Sequence, residues 1–143
     1  MKQDSKSKLV RKLDGIFSQY IRLRDMIPNT HLFKCISCGK VYQIKDADCG
    51  HYINRKHMST RFSEINCNAQ CRSCNRFDEG NMSGYRNGII HKYGEAQVIV
   101  LESMRNEIRK YSVFELSALC EHYKKEVDRL KKEKDITSLC STK

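Results

Sequence analysis

The chain runs to 143 residues, 39% hydrophobic and 31% charged, and its 27 Lys and Arg against 17 Asp and Glu give a formal charge of +10. That length supports one modest core rather than several domains. The charge points to a polyanionic partner, nucleic acid before membrane, because no stretch is long and apolar enough to span or anchor in a bilayer; a merely basic surface is the plain alternative.

Residues 1–7 read as a charged leader. From Lys8 to about Asp25 apolar residues fall at Leu9, Leu13, Ile16, Phe17, Tyr20 and Ile21, in steps of three and four that mark an amphipathic helix, with Leu23 off the stripe. Its polar side carries Lys8, Arg11, Lys12, Arg22 and Arg24, suited either to water or to DNA. The sole proline, Pro28, ends the helix. Phe33 to Ile44 reads as a knuckle, Cys35-Ile-Ser-Cys38 with a turn at Gly39-Lys40, running into a strand at Val41–Ile44. A second extended piece is expected near Ala47–Ile53, then a polar loop over residues 54–66, then a helix over Asn66–Phe77 around Cys71-Arg-Ser-Cys74.

Glu79-Gly80-Asn81 breaks the chain before a short helix over Met82–Tyr93, closed by Gly94. Glu95 to about Lys110 is expected to be helical, with Val98, Leu101, Met104 and Ile108 on one face. Ser112 and Glu115 fit a capping box. The helix that follows places Leu116, Cys120, Tyr123, Val127 and Leu130 on a heptad-like seam, expected to pack on the chain's own helices, with a homodimer seam as the alternative. The tail after Asp135 is expected to fray.

Eight cysteines would suit a secreted disulfide scaffold, but the N-terminus shows no apolar segment before a cleavage site. In a reducing compartment, two Cys-x-x-Cys pairs separated by some tens of residues instead suit one tetrahedral zinc, held by Cys35, Cys38, Cys71 and Cys74. Cys49, Cys67, Cys120 and Cys140 lack that pairing and read as ordinary small or semi-buried thiols first and as ligand candidates only second. The zinc pairs bracket Asp48, His51, Asn66 and Asn75, types that hold a hard cation and move a proton. His51 is the candidate base, and Asp48 and Asn75 the candidate ligands of Mg²⁺ or a similar divalent ion. Asn66 either orients the imidazole or ties down the loop. Arg55, Lys56, Arg72 and Arg76 are candidate phosphate contacts. Arg61 is read as a brace, beside a buried Phe62.

Asp48-Cys-Gly-His51, Asn66 and Cys71-x-x-Cys74-Asn75 resemble the zinc-containing form of the HNH (His-Me finger) nuclease motif. Residues 13–25, 48–52, 61–62, 66–75 and 80–86 are similar, in order, to the phage NinG/Rap recombination proteins, a likeness covering roughly residues 9–130. It implies an α+β, mostly helical protein: a zinc-stapled ββα-metal core with an N-terminal helix and C-terminal helices. Residues 1–30 would be the basic amphipathic helix, 31–94 the nuclease core and 95–143 the C-terminal helical region. It further implies Mg²⁺-dependent cleavage of branched or junction DNA in the cytoplasm of a bacterial host, by a phage or prophage protein. His51 would be the base, Asn66 its support and Asn75 a metal ligand. The general pattern puts an acid immediately before the base, whereas here Gly50 stands there. In a regular strand Asp48 and His51 point to opposite faces, unless Gly50 forms a bulge. A non-catalytic zinc module binding DNA or a recombination partner is the alternative reading.

Overall fold

The computed structural model describes residues 4–134. Helix α1 spans Lys6–Asp25, two residues earlier than periodicity indicates, because the Ser5 hydroxyl accepts the Lys8 N–H and caps it. Its stripe is buried as expected at Leu9, Leu13, Phe17, Tyr20 and Ile21; Leu23 is buried as well, which widens the apolar face. Met26 leaves the helix in extended geometry before Pro28. The α1 C-terminus is closed from afar: Lys134 Nζ donates to the carbonyls of Leu23, Arg24 and Met26 at 2.6, 3.2 and 2.9 Å, a cation where the helix dipole favours one.

Two small antiparallel sheets follow. Strands β1 (Leu32–Lys34) and β2 (Val41–Gln43) flank the knuckle. Strands β3 (Ala47–His51) and β4 (Cys67–Cys71) form the central hairpin, with Ala47 opposite Cys71, Asp48 opposite Gln70 and His51 opposite Cys67. Between them the expected loop contains one helical turn, α2 (Met58–Arg61). The helix expected over Asn66–Phe77 is corrected: its first half is strand β4, and only Ser73–Phe77 coils, as a π-type turn. Pairing with β3 wins because it buries β4 on both faces, Asn68 and Gln70 included.

Helix α3 (Met82–Tyr93) ends at Gly94 as expected, and α4 (Glu95–Ser103) stops well short of Lys110. Val98 and Leu101 are buried with Tyr85 and Ile89, whereas Ile108 finds no core and is exposed. The Met104 carbonyl turns instead to the Ser59 hydroxyl, 2.7 Å away. Helix α5 (Val113–Glu133) opens with the Ser112–Glu115 capping box. Its seam of Leu116, Cys120, Tyr123, Val127 and Leu130 is buried against α1. The Phe17 and Tyr123 rings meet edge-on at 4.9 Å, and the Tyr20 and Tyr123 hydroxyls both donate to Glu64. The main core therefore joins α1, α5 and one face of the hairpin; a smaller one joins Ile53 to α3 and α4. Residues from the 1–30, 31–94 and 95–143 segments all meet in the main core. The expected frayed tail after Asp135 lies outside the described residues. No helix among them is long and apolar enough to cross a membrane.

Candidate functional site

The hairpin's unbroken ladder fixes which side chains meet. Ala47, Cys49 and His51 share one face with Cys67 and Ala69, and that face packs on α1. Asp48 and Gly50 share the other with Asn68 and Gln70, beneath Tyr85, whose hydroxyl donates to the Gly50 carbonyl at 2.7 Å. No bulge forms at Gly50. The glycine serves close packing: a Cβ there would stand 2.1 Å from Gln70 Oε1, so the Gln70 side chain crosses the strand only because the position is bare.

The four cysteines come together as their spacing predicts. Cys35 follows β1, Cys38 sits in the knuckle turn, Cys71 ends β4 and Cys74 lies in the π-type turn. Their sulfurs all lie within 4.8 Å of one another. Cys38 and Cys71 Sγ are 3.9 Å apart, against about 3.8 Å expected between sulfurs of a tetrahedral site with Zn–S of about 2.3 Å. Backbone N–H groups of Cys71 and Cys74 donate to Cys35 and Cys71 Sγ at 3.3 and 3.4 Å, and Asn81 Nδ2 donates to Cys74 Sγ at 3.4 Å. Such donors orient and stabilise thiolates. Burial pushes the Cys35 thiol up and Cys74 up to about 12. For Cys38 burial is outweighed by the Lys40 N–H and the neighbouring thiols, and its value falls. A divalent cation is what makes all four thiolates favourable at once, so the donor set fits zinc. The clasp is pinned to the fold: Ile36 N–H donates to the Ala69 carbonyl at 3.1 Å, and a Cβ on Gly88 of α3 would lie 1.9 Å from the Ile36 carbonyl oxygen.

Asp48 and Asn75 also meet, with Arg76. Asn75 Nδ2 donates to Asp48 Oδ2 at 3.0 Å, and Arg76 grips both carboxylate oxygens at 2.8 Å. Burial alone would raise the Asp48 carboxyl, but the hydrogen bonds from Arg76 and then Asn75 hold it below its ordinary 3.8. Arg72 pairs with Asp46 at 3.3 Å and reaches the Lys45 carbonyl. Arg72 and Arg76 thus bind carboxylates just before and within β3, while Arg55 and Lys56 are exposed in the turn after β3.

His51 stands apart from that group, on the α1-facing side, and Asn75 is committed to Asp48 on the other. His51 Nε2 lies 3.2 Å from the Arg61 carbonyl oxygen. A carbonyl only accepts, so Nε2 carries the proton and Nδ1 the lone pair. Burial lowers the imidazole below its ordinary 6.5, the Arg61 carbonyl opposing and the Arg55 charge assisting, so the ring is neutral near pH 7. The Asn66 side chain, fully buried, makes no hydrogen bond to His51. Its Oδ1 accepts Ile53 N–H at 2.7 Å, and its Nδ2 donates to the Ile53 and Thr60 carbonyls at 3.1 and 3.2 Å. It ties down the loop that presents the Arg61 carbonyl. Arg61 braces the same loop through a bidentate pair with Asp14 of α1, with Phe62 buried beside it, as expected.

Sequence reasoning ranked Cys49 and Cys67 low as ligands and did not group them with His51, yet the three bring their donor atoms within 4.8 Å of one another. The Cys49-x-His51 spacing signals a shared strand face, but Cys67 joins them only through the hairpin register.

Fold and sulfur cluster together define a mostly helical α+β protein with a candidate zinc clasp. The family model described as Bacteriophage Lambda NinG protein matches residues 1–133, and the chain belongs to that family. It is 31% identical over 124 residues to "Protein ninG" of Escherichia phage 933W, covering 85% of this chain and 58% of the relative. To the proteins of that name from Escherichia phage lambda and Salmonella phage P22 it is 30% identical, covering 85% of this chain and 57% of each. The chain thus spans less than two thirds of these relatives' length. No solved structure matches it.

Proposed function

We propose that this chain is a metal-dependent DNA endonuclease of the HNH type with a structural zinc, acting on branched or junction DNA in phage recombination. The observation that carries the reading is the seating of His51: its Nε2 faces the Arg61 carbonyl at 3.2 Å, leaving Nδ1 as the one base atom. Nδ1 takes the proton of a water that attacks phosphorus in line, and Asn66 keeps the carbonyl loop in place so that the ring does not turn. Asp48 and Asn75 are the oxygen donors for Mg²⁺, which would neutralise charge on the phosphate and leaving oxygen. Arg76 is half-exposed, so its guanidinium can swing into solvent when a cation takes the Asp48 carboxylate. Arg55 and Lys56 supply exposed charge for the phosphate backbone. The nuclease class, the DNA substrate, a homodimer making paired cuts and a place in the cytoplasm of the phage's bacterial host rest on the family resemblance and on the net charge.

A second reading is a non-catalytic zinc module that binds DNA or a recombination partner. The opposed faces of Asp48 and His51, and the full hydrogen bonding of Asp48, favour it. Incubating the protein with four-way junctions, forks and plain duplex plus Mg²⁺, beside His51→Ala and Asp48→Ala, separates the two. The nuclease reading expects cleavage by wild type and a loss of at least about 100-fold in His51→Ala. Binding without cleavage selects the module, and equal cleavage by wild type and His51→Ala removes His51 from its role.

A further inference from the structure

The hairpin offers metal ligands at both ends. At the Cys71 end lies the four-cysteine clasp; at the Cys67 end, four residues or about 13 Å along the strand, lies the group of Cys49, His51 and Cys67. Strand alternation puts Cys49 and His51 on one face, and the register sets Cys67 directly across from His51. All three donor atoms fall within 4.8 Å of one another. A tetrahedral zinc needs them about 3.6–3.8 Å apart, with Zn–S near 2.3 Å and Zn–N near 2.0–2.1 Å, so closing the site takes side-chain adjustment of about 1 Å. Cys49 and His51 are half-buried and reachable, while Cys67 is fully buried and anchors the floor. His51 Nε2 faces the Arg61 carbonyl, the kind of partner a metal-binding histidine typically gives its other N–H, and Cys67 Sγ donates to the same carbonyl at 3.4 Å, a contact that ligation replaces.

We propose that Cys49, His51 and Cys67 form a second site for a thiophilic divalent ion such as Zn²⁺, independent of the clasp, with its fourth position open. Two thiolates and one imidazole form a soft-to-borderline donor set that takes Zn²⁺ or Co²⁺ and disfavours Mg²⁺. Binding releases the thiol protons to solvent, and the ion takes the Nδ1 lone pair. Where His51 is the nuclease base (a step that rests on the proposed function) occupancy of this site switches the base off. Zinc then has two roles in one hairpin, structural at one end and inhibitory at the other.

The metal alone is the probe. The reduced 143-residue chain, stripped of metal, is titrated with Co²⁺, then Zn²⁺, following the sulfur-to-cobalt charge-transfer band and bound metal by elemental analysis, with circular dichroism as a check of folding. Wild type is expected to take up two thiolate-bound ions per chain, counted by the charge-transfer band and so apart from any ion on the oxygen donors Asp48 and Asn75. Cys49→Ala, at a half-buried position, and the more drastic Cys49→Ala/Cys67→Ala pair should each take up one while keeping the wild-type spectrum of secondary structure. One thiolate-bound ion per chain in wild type overturns the site, as does a second thiolate-bound ion retained by a folded double variant. In a parallel cleavage assay, excess Zn²⁺ is expected to suppress wild type at least tenfold more than it suppresses Cys49→Ala. Equal suppression overturns the inhibitory role. Absence of all cleavage defeats the nuclease reading, and the stoichiometry still decides the site.

Discussion

Replacing Asn66 with alanine tests how the loop that backs His51 is held. The side chain is fully buried and serves three backbone groups: Ile53 N–H, Ile53 C=O and Thr60 C=O. Thr60 C=O keeps a second donor in the Ser63 N–H at 3.1 Å, whereas both Ile53 groups lose the partner Asn66 gave them. Two buried polar groups left without that partner cost about 1–3 kcal/mol each, so the expected loss is about 2–6 kcal/mol. That is a large share of the roughly 5–15 kcal/mol that holds a domain together. Asn66→Asp should be no better, because a carboxylate still accepts Ile53 N–H but turns a negative oxygen toward two carbonyls. Urea unfolding of zinc-saturated protein measures it: the midpoint should fall sharply with the slope unchanged. A loss below about 1 kcal/mol in Asn66→Ala would refute the reasoning and return Asn66 to a purely chemical role.

Gly88→Ala should destabilise by about 1–3 kcal/mol or more, seen in thermal melts, because its methyl group has no room beside the Ile36 carbonyl and α3 must lift off the knuckle. Stripping the metal with a chelator under reducing conditions should lower the melting temperature by about 10 °C, the shift expected when a ligand at about a thousand times its dissociation constant is withdrawn. Asp25 is buried among Arg24, Lys92 and the Ala69 N–H. Burial would raise its carboxyl, but the hydrogen bond and charge of Arg24, then Lys92, outweigh it and the value lies below the ordinary 3.8. A depressed folded value means the stabilisation is present above pH 3.8 and is lost as pH falls through that lower value. Asp25→Asn should therefore cost about 3 kcal/mol at pH 7, by leaving two cations uncompensated, with the gap to wild type closing in strong acid; a gap that is flat with pH would refute it.

Much of the frame was legible from spacing alone. The α1 and α5 stripes and the Ser112–Glu115 box follow from residues close in sequence, and the four-cysteine clasp from two short Cys-x-x-Cys spacings. Strand β4 was not, because Asn68 and Gln70 look like surface residues. They are buried only through distant partners: Arg24, Lys92 and Tyr85 for Asn68, and Ser37 with the Gly80 carbonyl for Gln70. The early end of α4 escaped for the same reason, since the Ser59 hydroxyl that takes the Met104 carbonyl lies 45 residues back. At the site, sequence brought Asp48, Asn75 and the cysteines into view, but which face His51 takes, and that Cys67 stands opposite it, depend on register. Register is set by pairing across the loop, which no local pattern encodes.

The clamp of Lys134 on the end of α1, and the seam of α5 along it, carry a consequence for synthesis. The first helix leaves the ribosome with Leu13, Phe17 and Ile21 bare; the hairpin can cover part of that stripe, but the α5 part of its cover is not made until about a hundred residues later. At about 5–20 residues per second that is a wait of roughly 5–20 s with a sticky stripe in the open. A nascent chain built this way is a client for a holdase, and ribosome-stalled lengths ending before Val113 should cross-link to one while those extending well past Lys134 should not.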